Sequence, residues 1–85
     1  MKRLEKEICG IPAWLMREYL EEAGGEALGD GQVAGDGWKA TITEIDPFCL
    51  GSIQIGMIRI EIEGQTQAMD HLMLLLEPKL MRAGG

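Results

Sequence analysis

Eighty-five residues, 46% hydrophobic and 26% charged, are enough for one small globular domain and exclude a disordered chain, which combines low hydrophobicity with high net charge. Fourteen Asp and Glu against eight Lys and Arg give a net charge of −6, which would meet a phosphate backbone with repulsion, so no nucleic-acid partner is expected. No apolar run is long enough for a signal h-region or a membrane span, and a cytoplasmic protein with no membrane role is expected.

Only Trp14, Trp38, Tyr19 and Phe48 are aromatic, so the core has to be built from Ile, Leu and Met. A chain this short buries roughly 60–65% of the surface its unfolded form exposes, and an oligomer would relieve so thin a core. The chain reads as a single domain over 1–85, with an N-terminal extension at 1–10 and the core at 11–85. In "IPAWLMREYLEEA", Leu15, Met16, Tyr19, Leu20 and Ala23 recur at helical spacing opposite Arg17, Glu18, Glu21 and Glu22, which predicts an amphipathic helix over 11–23. Pro12 suits its first turn and Gly24-Gly25 its stop.

Residues 24–37 are glycine-rich and allow at most a short strand, at Gln32–Gly35, before an Asp36-Gly37 turn. Trp38, Ala40 and Ile42 then alternate with Lys39, Thr41 and Thr43, predicting a strand over 38–45 with one buried face, ended by Asp46-Pro47. In "LGSIQIGMIRIEIEG" the apolar set shifts parity, from Ile53 and Ile55 to Ile58, Ile60 and Ile62. Because strand side chains alternate faces strictly, a β-bulge is expected at Gly56. Met69, Leu72, Met73, Leu76 and Leu80 predict a second helix after a Thr66 N-cap, with Pro78 kinking or restarting it. The expected fold is α+β, a two-layer sandwich in the order α-β-β-β-α, with both helices on one face of a short antiparallel sheet.

Chemistry-bearing residues are few. Cys9 and Cys49 lie far apart with no metal-ligand spacing, and two cysteines in a reducing compartment are usually small buried hydrophobes; with His71 they form a weak candidate metal set. His71 is the lone histidine and Ser52 the lone serine, neither in a catalytic context. "GDGQVAGDG" resembles a phosphate or calcium loop but lacks both the Gly-Lys-Ser/Thr of a P-loop and the alternating carboxylates of an EF-hand, so two turns bounding a short strand account for it. The terminal Gly84-Gly85 would suit a ubiquitin-like sulfur carrier. The first predicted helix also ends in Ala-Gly-Gly, however, and a carrier would begin and end in strands, so a helix stop is the simpler account.

The helix "IPAWLMREYLEEAGGEALGDG", the turn-Trp strand, "LGSIQIGMIRIEIEG" and the closing "LMRAGG" together resemble the C-terminal domain of MoaD-related proteins over about 11–85. The resemblance implies a two-layer α/β sandwich and an association with molybdopterin (molybdenum cofactor) biosynthesis. In longer members this domain follows a sulfur-carrying, ubiquitin-like segment that the ten residues before Ile11 cannot supply. The expected function is therefore a non-enzymatic accessory or protein-interaction module with no catalytic residue and no cofactor, possible partners being a molybdopterin-pathway protein and a second copy. The alternatives are the Gly84-Gly85 sulfur carrier and a small ligand- or metal-binding domain using Cys9, Cys49 and His71. A homodimer is expected through the Ile-rich strand, placed at a sheet edge, because Thr41, Thr43, Arg59, Glu61 and Glu63 make the uncovered face too polar for a large contact.

Overall fold

The computed structural model describes residues 1–29 and 31–84, and side chains as far as Leu80. Seven elements follow one another: β1 (Lys2–Cys9), α1 (Ala13–Glu22), β2 (Glu26–Gly29), β3 (Gln32–Gly35), β4 (Trp38–Leu50), β5 (Ile53–Gly64) and α2 (Thr66–Gly84). The strands form one antiparallel sheet in the order β1-β5-β4-β3-β2. The α+β class is as expected, but the order is β-α-β-β-β-β-α.

Two strands escaped the sequence reading. Residues 1–10 are no extension, since Lys2–Cys9 pairs along its whole length with β5, from Lys2 opposite Gly64 to Cys9 opposite Met57. Glu26–Gly29 pairs with β3 as the other edge. From Met57 to Gly64 the Ile-rich strand therefore lies between β1 and β4 and not at an edge, which removes the basis for a dimer made by pairing the backbone of that stretch.

Both helices cover the same face. Ile58, Ile60 and Ile62 of β5, Trp38, Ala40 and Ile42 of β4, and Val33 of β3 are buried against Met16 and Leu20 of α1 and Met69, Leu72 and Leu76 of α2. Helix α1 starts from Pro12 as N-cap, whose carbonyl accepts from the Leu15 and Met16 N–H groups, both at 3.1 Å. At its other end the Gly24 N–H donates to Glu21 O (3.0 Å) and the Gly25 N–H to Leu20 O (2.9 Å), with Gly24 at φ +103°. This bond pair is a Schellman motif, so the internal Gly-Gly is a helix stop. Helix α2 runs through Pro78 without restarting, and its first helical bond, Met69 N–H to Gln65 O at 2.9 Å, makes Gln65 the N-cap, one residue before the expected Thr66. Pro78 has no N–H to donate to the Leu74 carbonyl; both residues are exposed, where water can satisfy the freed carbonyl.

The parity shift in β5 has a different cause from the expected one. The strand is continuous from Ile53 to Gly64, and the extra residue sits in β4, where Asp46 and Pro47 together oppose Gly56 between the pairs Ile45↔Met57 and Phe48↔Ile55. Asp46-Pro47 thus bends the strand without ending it. A bulge suits proline because the residue has no N–H to give to the ladder. Beyond it, β4 and β5 continue as a two-stranded arm closed by Gly51-Ser52, with Gly51 alone at positive φ, the sign pattern of a type II′ turn. The arm extends past the helices and contributes to the 42 Å long dimension of a chain otherwise 25 × 21 Å across.

Candidate functional site

Because β5 alternates without interruption, its odd-numbered residues all point away from the helices. The pairing aligns them into cross-strand rows: Arg3–Glu63–Lys39, then Glu5–Glu61–Thr41, Glu7–Arg59–Thr43, Cys9–Met57–Ile45, Ile55–Phe48 and Ile53–Leu50. The open face thus passes from charged at one end to apolar on the arm. Phe48, Leu50 and Ile53 are 50%, 63% and 60% exposed. The helix-side face of the arm shows the reverse, with Glu44, Cys49 and Gln54.

At the charged end, Glu5 and Glu61 face each other directly, an unfavourable like-charge pair unless cations reach it. Two arginines do. Arg3 Nη2 lies 2.6 Å from Glu61 Oε2 and 3.8 Å from Glu5 Oε2, and Arg59 Nη2 lies 3.0 Å from Glu7 Oε2. Arg59 Nε is enclosed and makes no hydrogen bond, its nearest carboxylate oxygen being Glu5 Oε1 at 3.6 Å. The hydrogen bond to Glu61 raises the Arg3 guanidinium above its ordinary value, and that to Glu7 does the same for Arg59. These pairs are solvent-exposed, so they organise the face more than they stabilise the fold.

On the helix side, a cleft of about 720 Å³ opens between the start of α1 and the base of the arm. Trp14 and Arg17 line one wall, Ile42, Glu44 and Ile58 the other. An indole, one cation and one carboxylate can hold a small polar molecule, but the lining includes no histidine, cysteine or serine to act on it.

The structure does not assemble the candidate metal set. Cys9 ends β1 on the open face, Cys49 lies on the helix-side face of the arm, and both are exposed free thiols, not the buried hydrophobes expected. His71, exposed on α2, lines a separate cleft with Gly24, Trp38 and Gln65, beside the opposite end of β1. Among the described residues no group of three or more His, Cys, Asp or Glu could hold a metal ion. Gly84 is the last residue of α2, and Gly85 lies outside the described residues, as does Asp30 of the glycine-rich loop. Asp36-Gly37 is the hairpin turn expected, with Gly37 at φ +86°. Among the described residues no helix is long and apolar enough to cross a membrane. The apolar arm was missed as a site although its signal, the parity shift, was in view.

Fold and surface define an α+β domain whose five-stranded sheet is covered by helices on one face and open on the other. The chain belongs to the archaeal MoaD-like protein family, whose model matches residues 4–85. The resemblance to MoaD-related domains is thereby established, and it reaches into the first strand. The curated proteins contain no match to it.

Proposed function

We propose that this chain is a non-enzymatic accessory module of molybdopterin cofactor biosynthesis that acts by protein-protein association, in the cytoplasm and as a homodimer. The family match supports the pathway, and the apolar end of an otherwise charged open face supports association as the mode of action. Tagged protein expressed in a cell that makes the cofactor should recover synthase or sulfur-transfer components, and deletion should lower cofactor content. Recovery of none, with cofactor content unchanged, removes the pathway assignment.

The same family match supports a second reading, a sulfur carrier using Gly84-Gly85. Because α2 runs to Gly84, its last turn would have to unwind to enter an activating enzyme. Incubation with such an enzyme and ATP, followed by mass spectrometry, decides between the two: an adenylate or thiocarboxylate on Gly85 favours the carrier, and an unchanged mass eliminates it.

A further inference from the structure

We propose that the outward face of the β4–β5 arm is the surface through which two copies of this chain associate, arm packed on arm across a two-fold axis. The proposal rests on the homodimer reading above and adds the surface that makes it.

The parity shift is the first ground. From Ile58 onward the apolar residues of β5 face the helices, whereas Ile53 and Ile55 face the other way, where no described element of this chain packs. Phe48 and Leu50 of β4 join them because the Asp46-Pro47 bulge resets β4 to the same face. Paired regularly, with no bulge, Phe48 would stand opposite Gln54 and Leu50 would share that face. The bulge thus sorts the arm into one apolar and one polar side, as a strand pair does when one side is to be covered.

Charge is the second. The chain carries −6, so two copies repel over most of their surface, yet from Ile45 to Met57 the only charged residue is Asp46. A basic partner would be drawn to the acidic surfaces elsewhere, while an uncharged apolar face selects another apolar face. The arm is also where two copies can meet with least repulsion. Tip over base, each Leu50 and Ile53 would cover the partner's Ile45 and Met57, with both charged bodies pointing away from the contact. Phe48 and Ile55, the middle of the three apolar rows, would lie near the axis, and Glu7, Arg59 and Thr43 would form a polar rim.

Area is the third. Phe48, Leu50 and Ile53, each at least half exposed, together with the partly exposed Ile45, Ile55 and Met57, offer about 350–500 Å² per copy, so the pair buries about 700–1,000 Å². That is the size of a small, transient interface and suits a reversible dimer of micromolar or weaker affinity, not an obligate one.

Sedimentation velocity across the micromolar range tests the proposal. The full chain should pass from 9.3 kDa to twice that mass with rising concentration. Ile55→Glu and Ile55→Lys, each near the axis and facing its own copy, should separately weaken the dimer at least about 100-fold and, mixed, restore it as a heterodimer. Gln54→Glu, one residue away on the other side of the arm, should leave it unchanged. Far-UV circular dichroism and melting confirm that each variant is folded. A wild-type monomer at every concentration overturns both the dimer and this surface. A dimer that survives both Ile55 variants, or that Gln54→Glu disrupts equally, keeps the dimer reading and overturns the surface.

Discussion

Five isoleucines on one strand give a direct test of the face assignment, because they share chemistry and differ in what covers them. Ile60 is 1% exposed, between Ile42 on β4 and Lys6 on β1, and packs into the helix-covered core. Ile60→Ala removes three buried carbons and should cost about 3–4 kcal/mol, the transfer term plus a cavity that a central strand cannot collapse. An 85-residue domain has a total stability of about 4–13 kcal/mol, so the loss takes a large share of it. At roughly 4–8 °C per kcal/mol, the melting temperature should fall by about 12–30 °C. Ile53 is 60% exposed on the outward face of the arm, and the same truncation there should cost no more than about 1 kcal/mol of monomer stability. Urea unfolding, followed by circular dichroism at concentrations where the chain is monomeric, measures both. The face assignment fails if Ile53→Ala destabilises the monomer as much as Ile60→Ala, since that outcome would put Ile53 in a core the structure does not give it.

A Cβ at Gly25 would lie 2.7 Å from Trp38 Cη2 and 2.8 Å from the Leu20 carbonyl oxygen, so Gly25→Ala should lose about 1–3 kcal/mol by overpacking and change the near-UV signal of Trp38. Gly29→Ala, which meets nothing within 4 Å, should be close to neutral; equal losses at the two sites would contradict the packing account. Arg59→Gln leaves Glu5, Glu7 and Glu61 under-compensated and should destabilise the fold more at low salt than at about 1 M, where screening acts within roughly 3 Å, so a loss independent of salt would refute the electrostatic account. Thiol titration of the dilute native chain should find both Cys9 and Cys49 reactive without denaturant, and a single reactive thiol would contradict their exposure.

Local rules sufficed wherever one residue's chemistry dominates. The 3.6-residue period over 11–23 located α1 to within two residues at its start and one at its end, Gly24-Gly25 ended it, Asp36-Gly37 turned β3 into β4, and the Trp38–Ala40–Ile42 alternation marked the covered face. The sequence also registered that something changes near Gly56. It could not settle what, because a parity shift is equally an extra residue in that strand or a change in which face is covered. Pairing with β4 decided it, by putting the extra residue at Asp46-Pro47 and leaving Ile53 and Ile55 outward. Strand β1 was illegible for a related reason. In "KRLEKEIC" the helix side carries Lys2, Leu4, Lys6 and Ile8, of which only Leu4 and Ile8 pack against the core, four residues apart as on a helix, and the charges on the other side gain a role only when β5 brings Arg59 and Glu61 alongside. Strand β2 exposes every residue and carries no hydrophobic period at all. An edge strand is held by a neighbour's backbone, and that neighbour is supplied by the tertiary structure, not by the strand's own side chains.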